Sequence, residues 1–254
     1  MSALLEVADL GMRFGGLQAV DGVGFTVERA QVFAIIGPNG AGKTTVFNCI
    51  SGFYRPTSGW AMLEAQPIHN LSSHRIARLG LVRTFQNVRL FKNMTVVENL
   101  LVAQHTRLVT NLWSGLIKLP RYRRSERQAL EKASFWLDKV GLLPYANREA
   151  GNLAYGQQRR LEIARCMITQ PSLLLLDEPA AGLNPQETRE LNTLITELRA
   201  QHGVSVLLIE HDMSLVMGIS EQILVMENGR PIALGTPAQI RSDPKVIKAY
   251  LGEE

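Results

Sequence analysis

Two stretches of the chain are apolar at every position, Val32-Phe33-Ala34-Ile35-Ile36 and Leu173-Leu174-Leu175-Leu176. A third, Val204-Ser205-Val206-Leu207-Leu208-Ile209, is broken only by a serine. Strands covered on both faces carry this pattern, so the three runs predict the interior of a mostly parallel sheet. Residues 3–8 and 22–28 alternate instead, with Val23, Phe25 and Val27 on one side, and predict two antiparallel strands. Leu79-Gly80-Leu81-Val82 predicts a further strand that runs into a loop at Gln86. Leu224-Val225-Met226 and Ile232-Ala233-Leu234 flank Asn228-Gly229, a pair that favours a tight hairpin turn. Helical spacing follows Thr44, resumes at Ser72, and covers 95–106, where Thr95 and Glu98 have capping-box spacing. It returns over 126–140, with Ala129, Ala133, Trp136, Leu137 and Val140 on one face, again where the stretch 151–160 opens a long helix continuing through Met167, and over 186–201. Short helices are expected at 237–241 and 244–251. Strands alternating with helices make this an α/β chain.

Each buried run ends in polar residues, and the chemistry collects there. The first passes into Gly37-Pro38-Asn39-Gly40-Ala41-Gly42-Lys43-Thr44-Thr45, which fits the phosphate-loop pattern in its strand–loop–helix setting. Glycines let backbone N–H groups approach phosphates, and the following helix turns its positive end toward them. Lys43 supplies a cation for the outer phosphates and Thr44 a hydroxyl for Mg²⁺. The second run ends in Asp177-Glu178. Asp177 suits the metal's ligand shell, and Glu178 is placed to orient or activate a water. The third ends in Glu210-His211-Asp212, which puts His211 at the same sheet edge, able to donate to a phosphate oxygen. The side-chain amide of Gln86 can reach a metal or water there. Gly156-Gln157 opens a helix whose free N–H groups suit an anion.

Composition narrows the setting more than the chemistry. The 254 residues suffice for one large α/β domain with a lobe, and 46% hydrophobic with 20% charged is ordinary for a globular protein. No apolar run approaches the roughly 18 residues of a membrane span. Glu6 and Asp9 come too early for a signal peptide, so the chain is expected to stay in the cytosol. Cys49 and Cys166 show no metal spacing and are expected to be reduced and buried. Residues 107–127 combine Trp113, Leu116, Ile117 and Leu119 with Lys118, Arg121, Arg123, Arg124 and Arg127. Such a stretch fits a membrane surface or a partner, and equally a solvated insertion with an apolar anchor. The basic patch is short and has neither a reading helix nor an aromatic platform, so no nucleic-acid partner is expected.

Taken together, the phosphate loop, Gln86, Leu153-Ala154-Tyr155-Gly156-Gln157, the strand ending in Asp177-Glu178, and His211 resemble the ATP-binding subunit of an ABC transporter over nearly the whole chain. Five motifs in the family's order make the resemblance specific. It implies a phosphate-loop NTPase (RecA-like) core with a mostly parallel sheet, an N-terminal antiparallel β subdomain and an inserted α-helical lobe. The expected division is a core of 1–86 and 166–236, a lobe of 87–165, and C-terminal helices over 237–254. The resemblance further implies that Phe14 stacks on adenine and that ATP and Mg²⁺ bind. Two subunits would close head to tail, with Ala154, Tyr155, Gly156 and Gln157 of one completing the phosphate loop of the other. Lys43, Glu178 and His211 would then carry hydrolysis, while Thr44, Gln86 and Asp177 hold the metal.

The sequence departs from the family at two places. Ala154 stands where the signature has serine, and Asn184 where the loop after Asp177-Glu178 usually has aspartate. A lost hydrogen bond of roughly 0.5–1.5 kcal/mol implies weaker closure at Ala154. Arg83-Thr84-Phe85-Gln86, residues 152–167 and Glu178-Pro179-Ala180-Ala181-Gly182-Leu183-Asn184-Pro185 are similar to the longer ATPase subunit of the bacterial branched-chain amino-acid importers. That implies a second ATP-binding subunit, in a hetero- or homodimer, and two membrane permease subunits. Indirectly it implies a periplasmic binding protein for leucine, isoleucine and valine, and a position on the cytoplasmic face of the inner membrane. The alternatives are the ATPase of a lipid or lipopolysaccharide exporter, a soluble ABC ATPase outside transport, and a nucleotide-binding regulator without turnover. Glu178 argues against the last.

Overall fold

Two sheets carry the architecture. In the computed structural model, which describes residues 3–104 and 120–251, the chain begins with β1 (Ala3–Phe14) and β2 (Leu17–Glu28). They pair antiparallel, and β4 (Ser58–Leu63) and β5 (Gln66–Pro67) complete a sheet of order β2-β1-β4-β5. β1 and β2 extend well past the predicted spans 3–8 and 22–28. Register shifts between Val7 and Leu10 and between Leu10 and Met12 break the apolar alternation without ending the pairing. A bulge of this kind hides a strand's continuation from a strict period of two. Residues 107–119 of the basic stretch lie outside the described residues.

The apolar runs form the second sheet. Its strands are β3 (Val32–Ile36), β6 (Leu81–Arg83), β7 (Leu173–Asp177), β8 (Ser205–Ile209), β9 (Gln222–Glu227) and β10 (Arg230–Gly235), in the order β10-β9-β3-β8-β7-β6. β9, β3, β8, β7 and β6 run parallel, and β10 returns antiparallel at one edge. Every residue of β3, β7 and β8 is buried, as uninterrupted apolar runs require. The register aligns their ends, since Ile209 pairs with Ile35 on one side and with Asp177 on the other. The hairpin between β9 and β10 turns on Asn228 (φ 47°) and Gly229 (φ 81°), the positive pair that its sequence favours.

Helix α1 (Lys43–Ile50) leaves the phosphate loop and buries Val46, Phe47 and Ile50 in one apolar cluster. The cluster draws on both sheets, through Leu5, Val7 and Phe25 of the first and Phe33, Leu175 and Leu207 of the second. The other helices are α2 (Ser73–Arg78), α3 (Val96–Gln104), α4 (Pro120–Lys139), α5 (Tyr155–Met167), α6 (Pro185–His202), α7 (Met213–Ile219), α8 (Pro237–Ser242) and α9 (Pro244–Leu251). The capping box at Thr95 forms, with Glu98 Oε2 accepting from the Thr95 N–H and hydroxyl, both at 2.8 Å.

Packing divides the chain into two compact units, residues 1–86 with 171–254, and residues 87–170. The division returns after Gln170 rather than at the expected 165, which keeps α5 whole. The second unit is helical. Its interior contains Leu100, Ala133, Leu137, Leu161 and Ala164, and Gln104 Nε2 donates to the Ala129 carbonyl at 2.9 Å. Buried Asn99 staples its entry loop by accepting from Phe91 N–H (3.0 Å) and donating to the carbonyls of Phe91 and Thr95.

Both cysteines are free and buried, and burial pushes the thiols up to about 11 at Cys49 and about 12 at Cys166. The centre of the parallel sheet sets a clear expectation. Leu175 is fully buried between Arg83 of β6 and Leu207 of β8. Leu175→Ala should cost about 2–5 kcal/mol by transfer and cavity terms. Urea unfolding followed by tryptophan fluorescence reads the loss, and a cost under about 1 kcal/mol would show that the sheet interior is not packed as described.

Candidate functional site

The aligned ends of β3, β7 and β8 place three polar clusters side by side. Beyond Ile36 the chain turns at Gly37, whose φ of 146° and surroundings admit no side chain, because a Cβ would lie 2.0 Å from the Met226 carbonyl oxygen. Gly42 (φ 91°) is similarly confined, its Cβ position falling 2.6 Å from the Ala19 carbonyl oxygen. These two positions need glycine for conformation and for space. The loop between them wraps the Lys43 ammonium, which donates to the carbonyls of Gly37 (2.7 Å) and Pro38 (2.9 Å). Burial pulls the Lys43 pKa down, and the nearby carboxylates of Glu178 and Asp177 push it back up.

Glu178 is the centre of the second cluster. Its φ of 48° is unusual for a residue with a side chain and costs on the order of 1–3 kcal/mol. The last bond of the β7–β8 ladder, Glu178 N–H to Ile209 carbonyl at 2.9 Å, holds it there. The carboxylate is engaged on both sides. Gln86 Nε2 donates to Oε2 at 2.8 Å, and His211 Nε2 lies 3.1 Å from Oε1. Glu178 and His211 also line a cleft of about 440 Å³ with Asn39, Gly40, Ala41, Gly42, Lys43, Thr44 and Thr45. Charge, donors and a carboxylate thus share one concave surface, the arrangement needed to bind an anion and aim a water at it.

Asp177 is nearly buried and pairs with Arg83, whose Nη2 lies 2.6 Å from Oδ2. Its second carboxylate oxygen, like the Thr44 hydroxyl in the cleft and the Gln86 amide oxygen, is a hard oxygen donor of the kind a divalent ion takes. Mg²⁺ commonly takes one or two carboxylates and fills its shell with phosphate and water. Among the described residues no cluster of three or more His, Cys, Asp or Glu exists to hold a metal alone.

Three features escaped the sequence reading. Glu210 is buried at the end of β8, where its carboxylate accepts from the N–H groups of Ala180 (2.7 Å), His211 (2.9 Å) and Asp212 (3.4 Å), and burial pushes its pKa up. It ties the loop after Glu178 to the loop carrying His211. The hairpin turn at Asn228-Gly229 forms a wall of the cleft, with Gly229 N–H donating to the Ala41 carbonyl at 3.2 Å. Leu17, Gln18 and Ala19 line it as well. A carboxylate beside His211 and an Asn-Gly turn were both visible in sequence, but their contacts depend on the sheet's order.

Phe14 is not among the residues that line the cleft. It is 41% exposed and sets its ring edge-on to Tyr54, with centroids 5.3 Å apart. Ala154, Tyr155, Gly156 and Gln157 lie in the helical unit at the start of α5. There Gln157 Oε1 accepts from Ala154 N–H at 3.1 Å, while Tyr155 is exposed beside the Arg159 guanidinium. The structure therefore brings together the phosphate loop, Gln86, Asp177, Glu178 and His211.

A family model described as "ABC transporter" matches residues 20–181, more than half of the chain. The chain belongs to the ABC transporter family. As an ABC ATP-binding subunit it carries a second match, over residues 230–254, to a model described as "Branched-chain amino acid ATP-binding cassette transporter". It is 65% identical over 250 residues to the high-affinity branched-chain amino acid transport ATP-binding protein BraF of Pseudomonas aeruginosa, covering 98% of each chain. Identity to LivG of Escherichia coli K12, which bears the same description, is 61% with the same coverage. Among solved structures, an ATP-binding cassette of an ABC transporter in its ADP conformation superposes with a TM-score of 0.85 at 33% identity, covering 100% of both chains. These matches make the chain an ABC-type ATPase and establish the phosphate-loop fold expected from its motifs.

Asn184, the second departure from the family pattern, caps α6 of this ABC subunit. Its Oδ1 accepts from Gln186 N–H (2.9 Å) and Glu187 N–H (3.0 Å), and Glu187 returns a bond to Asn184 N–H. Asparagine and aspartate are near-equal caps. Asn184→Asp should therefore leave stability within about 0.5 kcal/mol, while Asn184→Ala should cost about 1 kcal/mol. Equal losses for both variants in chemical denaturation would refute the capping role.

Proposed function

We propose that this subunit hydrolyses ATP to power import of leucine, isoleucine and valine through a membrane permease. The observation that carries the substrate is the 65% identity to BraF over nearly full length, supported by the C-terminal match at 230–254. No residue of the site would touch the transported amino acid. Nothing comparable favours the lipid exporter or the soluble ATPase.

Backbone N–H groups of residues 37–45 cradle the ATP phosphates, and the Lys43 ammonium, already held at the loop's mouth, takes the outer ones. Mg²⁺, when bound, would supply charge neutralisation at the phosphates, with Thr44, Asp177 and Gln86 as its protein ligands. Glu178 orients the attacking water and accepts its proton. His211 exchanges its contact with the Glu178 carboxylate for a hydrogen bond donated to the terminal phosphate. Gln86, bonded to Glu178 at the last residue before the helical unit, senses the phosphates and passes the change on. Phe14 and Tyr54 offer an exposed aromatic pair for adenine. Ala154, Tyr155, Gly156 and Gln157 complete the phosphate loop of a second ATP-binding subunit. The complex would contain two permease subunits, receive cargo from a periplasmic binding protein and sit on the cytoplasmic face of the inner membrane. Among the described residues no helix is long and apolar enough to cross a membrane, so the permease must supply the path.

Glu178→Gln should keep ATP binding and lose about 10²–10⁴-fold in hydrolysis, the scale of one acid–base group. Near wild-type phosphate release would remove Glu178 from its role. Lys43→Ala should abolish tight ATP binding by calorimetry, and unchanged affinity would refute its contact with the phosphates. The transport reading is tested by uptake of labelled leucine in a strain lacking this chain, together with co-purification of membrane permeases on a tagged copy. Undiminished uptake after deletion, with no permease recovered, would reject it.

A further inference from the structure

Arg83 combines features that simple packing does not account for. Its side chain is 6% exposed, and its guanidinium carbon lies 5.4 Å from the ring centroids of Phe47 and Phe85 and 5.8 Å from that of Phe53. A permanently charged group in an aromatic box carries a large desolvation cost, and its Nε has no hydrogen-bond partner. The cost is offset along one edge. Nη1 donates to Asn48 Oδ1 (2.7 Å) and Ser51 Oγ (3.0 Å) of the helix that leaves the phosphate loop, and Nη2 donates to Asp177 Oδ2 at 2.6 Å. Ser51 is itself fixed, its hydroxyl donating to the Phe47 carbonyl at 2.5 Å.

A buried ion pair seldom stabilises a fold better than apolar residues of similar volume would, so stability alone does not explain this one. Its geometry does explain an orienting role. The guanidinium is anchored to α1 by one nitrogen and grips a single oxygen of Asp177 with another. Three elements of the site, the helix after the phosphate loop, the strand leading to Gln86, and the strand ending in Asp177-Glu178, meet on this one planar group.

We propose that Arg83 is a positioning residue for Asp177: by holding Oδ2 rigidly against α1, it commits the other carboxylate oxygen to the divalent ion that accompanies ATP. The inference rests on the reading of Asp177 as a metal ligand. Groups that orient a metal's ligands from behind typically govern 10–100-fold of its affinity. Lysine cannot reproduce the role, because its single nitrogen cannot bridge Asn48, Ser51 and Asp177 with the fork's fixed geometry.

The test measures Mn²⁺ affinity of the full chain bound to a non-hydrolysable ATP analogue by electron paramagnetic resonance titration. Nucleotide affinity in EDTA and thermal unfolding are measured alongside. Arg83→Met should weaken Mn²⁺ binding about 10–100-fold and leave metal-free nucleotide affinity within about threefold, with Arg83→Lys in between. Unchanged Mn²⁺ affinity in folded Arg83→Met, with only the unfolding temperature shifted, would overturn the proposal in favour of a packing role. Should Arg83→Met fail to fold, the Asn48→Ala/Ser51→Ala pair loosens the guanidinium while keeping the ion pair. A fall of about threefold or more in Mn²⁺ affinity then supports the proposal, and no change overturns it. Asp177→Asn separates the two readings. If it lowers Mn²⁺ affinity and Arg83→Met does not, only the role of Arg83 fails. If Asp177→Asn has no effect, the metal role of Asp177 and the inference built on it fall together.

Discussion

The in-register pairing of β3, β8 and β7 is the constraint on which the site depends. Parallel strands place like ends together, and here Ile35 faces Ile209 and Ile209 faces Asp177. Gly37, Glu178 and His211 follow within two residues of those positions. The sheet thereby sets the spacing between phosphate loop, carboxylate and histidine before any side chain is chosen. The final ladder bond, from Glu178 N–H to Ile209, holds Glu178 in a left-handed conformation that its own backbone disfavours. The favourable burial of some fifteen strand residues is coupled to one unfavourable torsion at the reacting edge.

Around that edge the charges are distributed so that few face water alone. Lys43 lies against loop carbonyls, Glu178 between Gln86 and His211, Asp177 against Arg83, and Glu210 under three backbone N–H groups. These contacts differ in kind. Glu178 is met by an amide and an imidazole at the surface of the cleft. Asp177 is bound by a guanidinium that is itself buried and fixed to α1. One carboxylate thus lines the cleft, while the other is held against a buried cation.

Much of this was legible from residue patterns. Uninterrupted apolar runs identified the three central strands because burial on both faces leaves no room for alternation, and Asn228-Gly229 marked its hairpin because the turn needs two positive φ values. The bulges in β1 were not legible, since the extra residue at each one inverts the alternation used to find strands. The phosphate loop, Asp177, Glu178 and His211 were found because each lies at the end of a run whose period is unambiguous. Arg83 and Glu210 were present in quoted motifs without an assigned role. What they do depends on neighbours 94 and 30 residues away in the chain, and only strand order brings those together.

The two departures from the family pattern have different physical weight. Asn184 substitutes one good cap for another, so the loop it closes keeps its geometry and loses only a charge. Ala154 lacks the hydroxyl of the usual serine, while its own N–H is satisfied by Gln157. Lys43, Gln86, Asp177, Glu178 and His211, in contrast, all belong to the compact unit of residues 1–86 and 171–254. The departures thus fall in different compact units, Ala154 in the helical one and Asn184 in the one that carries Glu178, so a change at either can be read without disturbing the packing of the other.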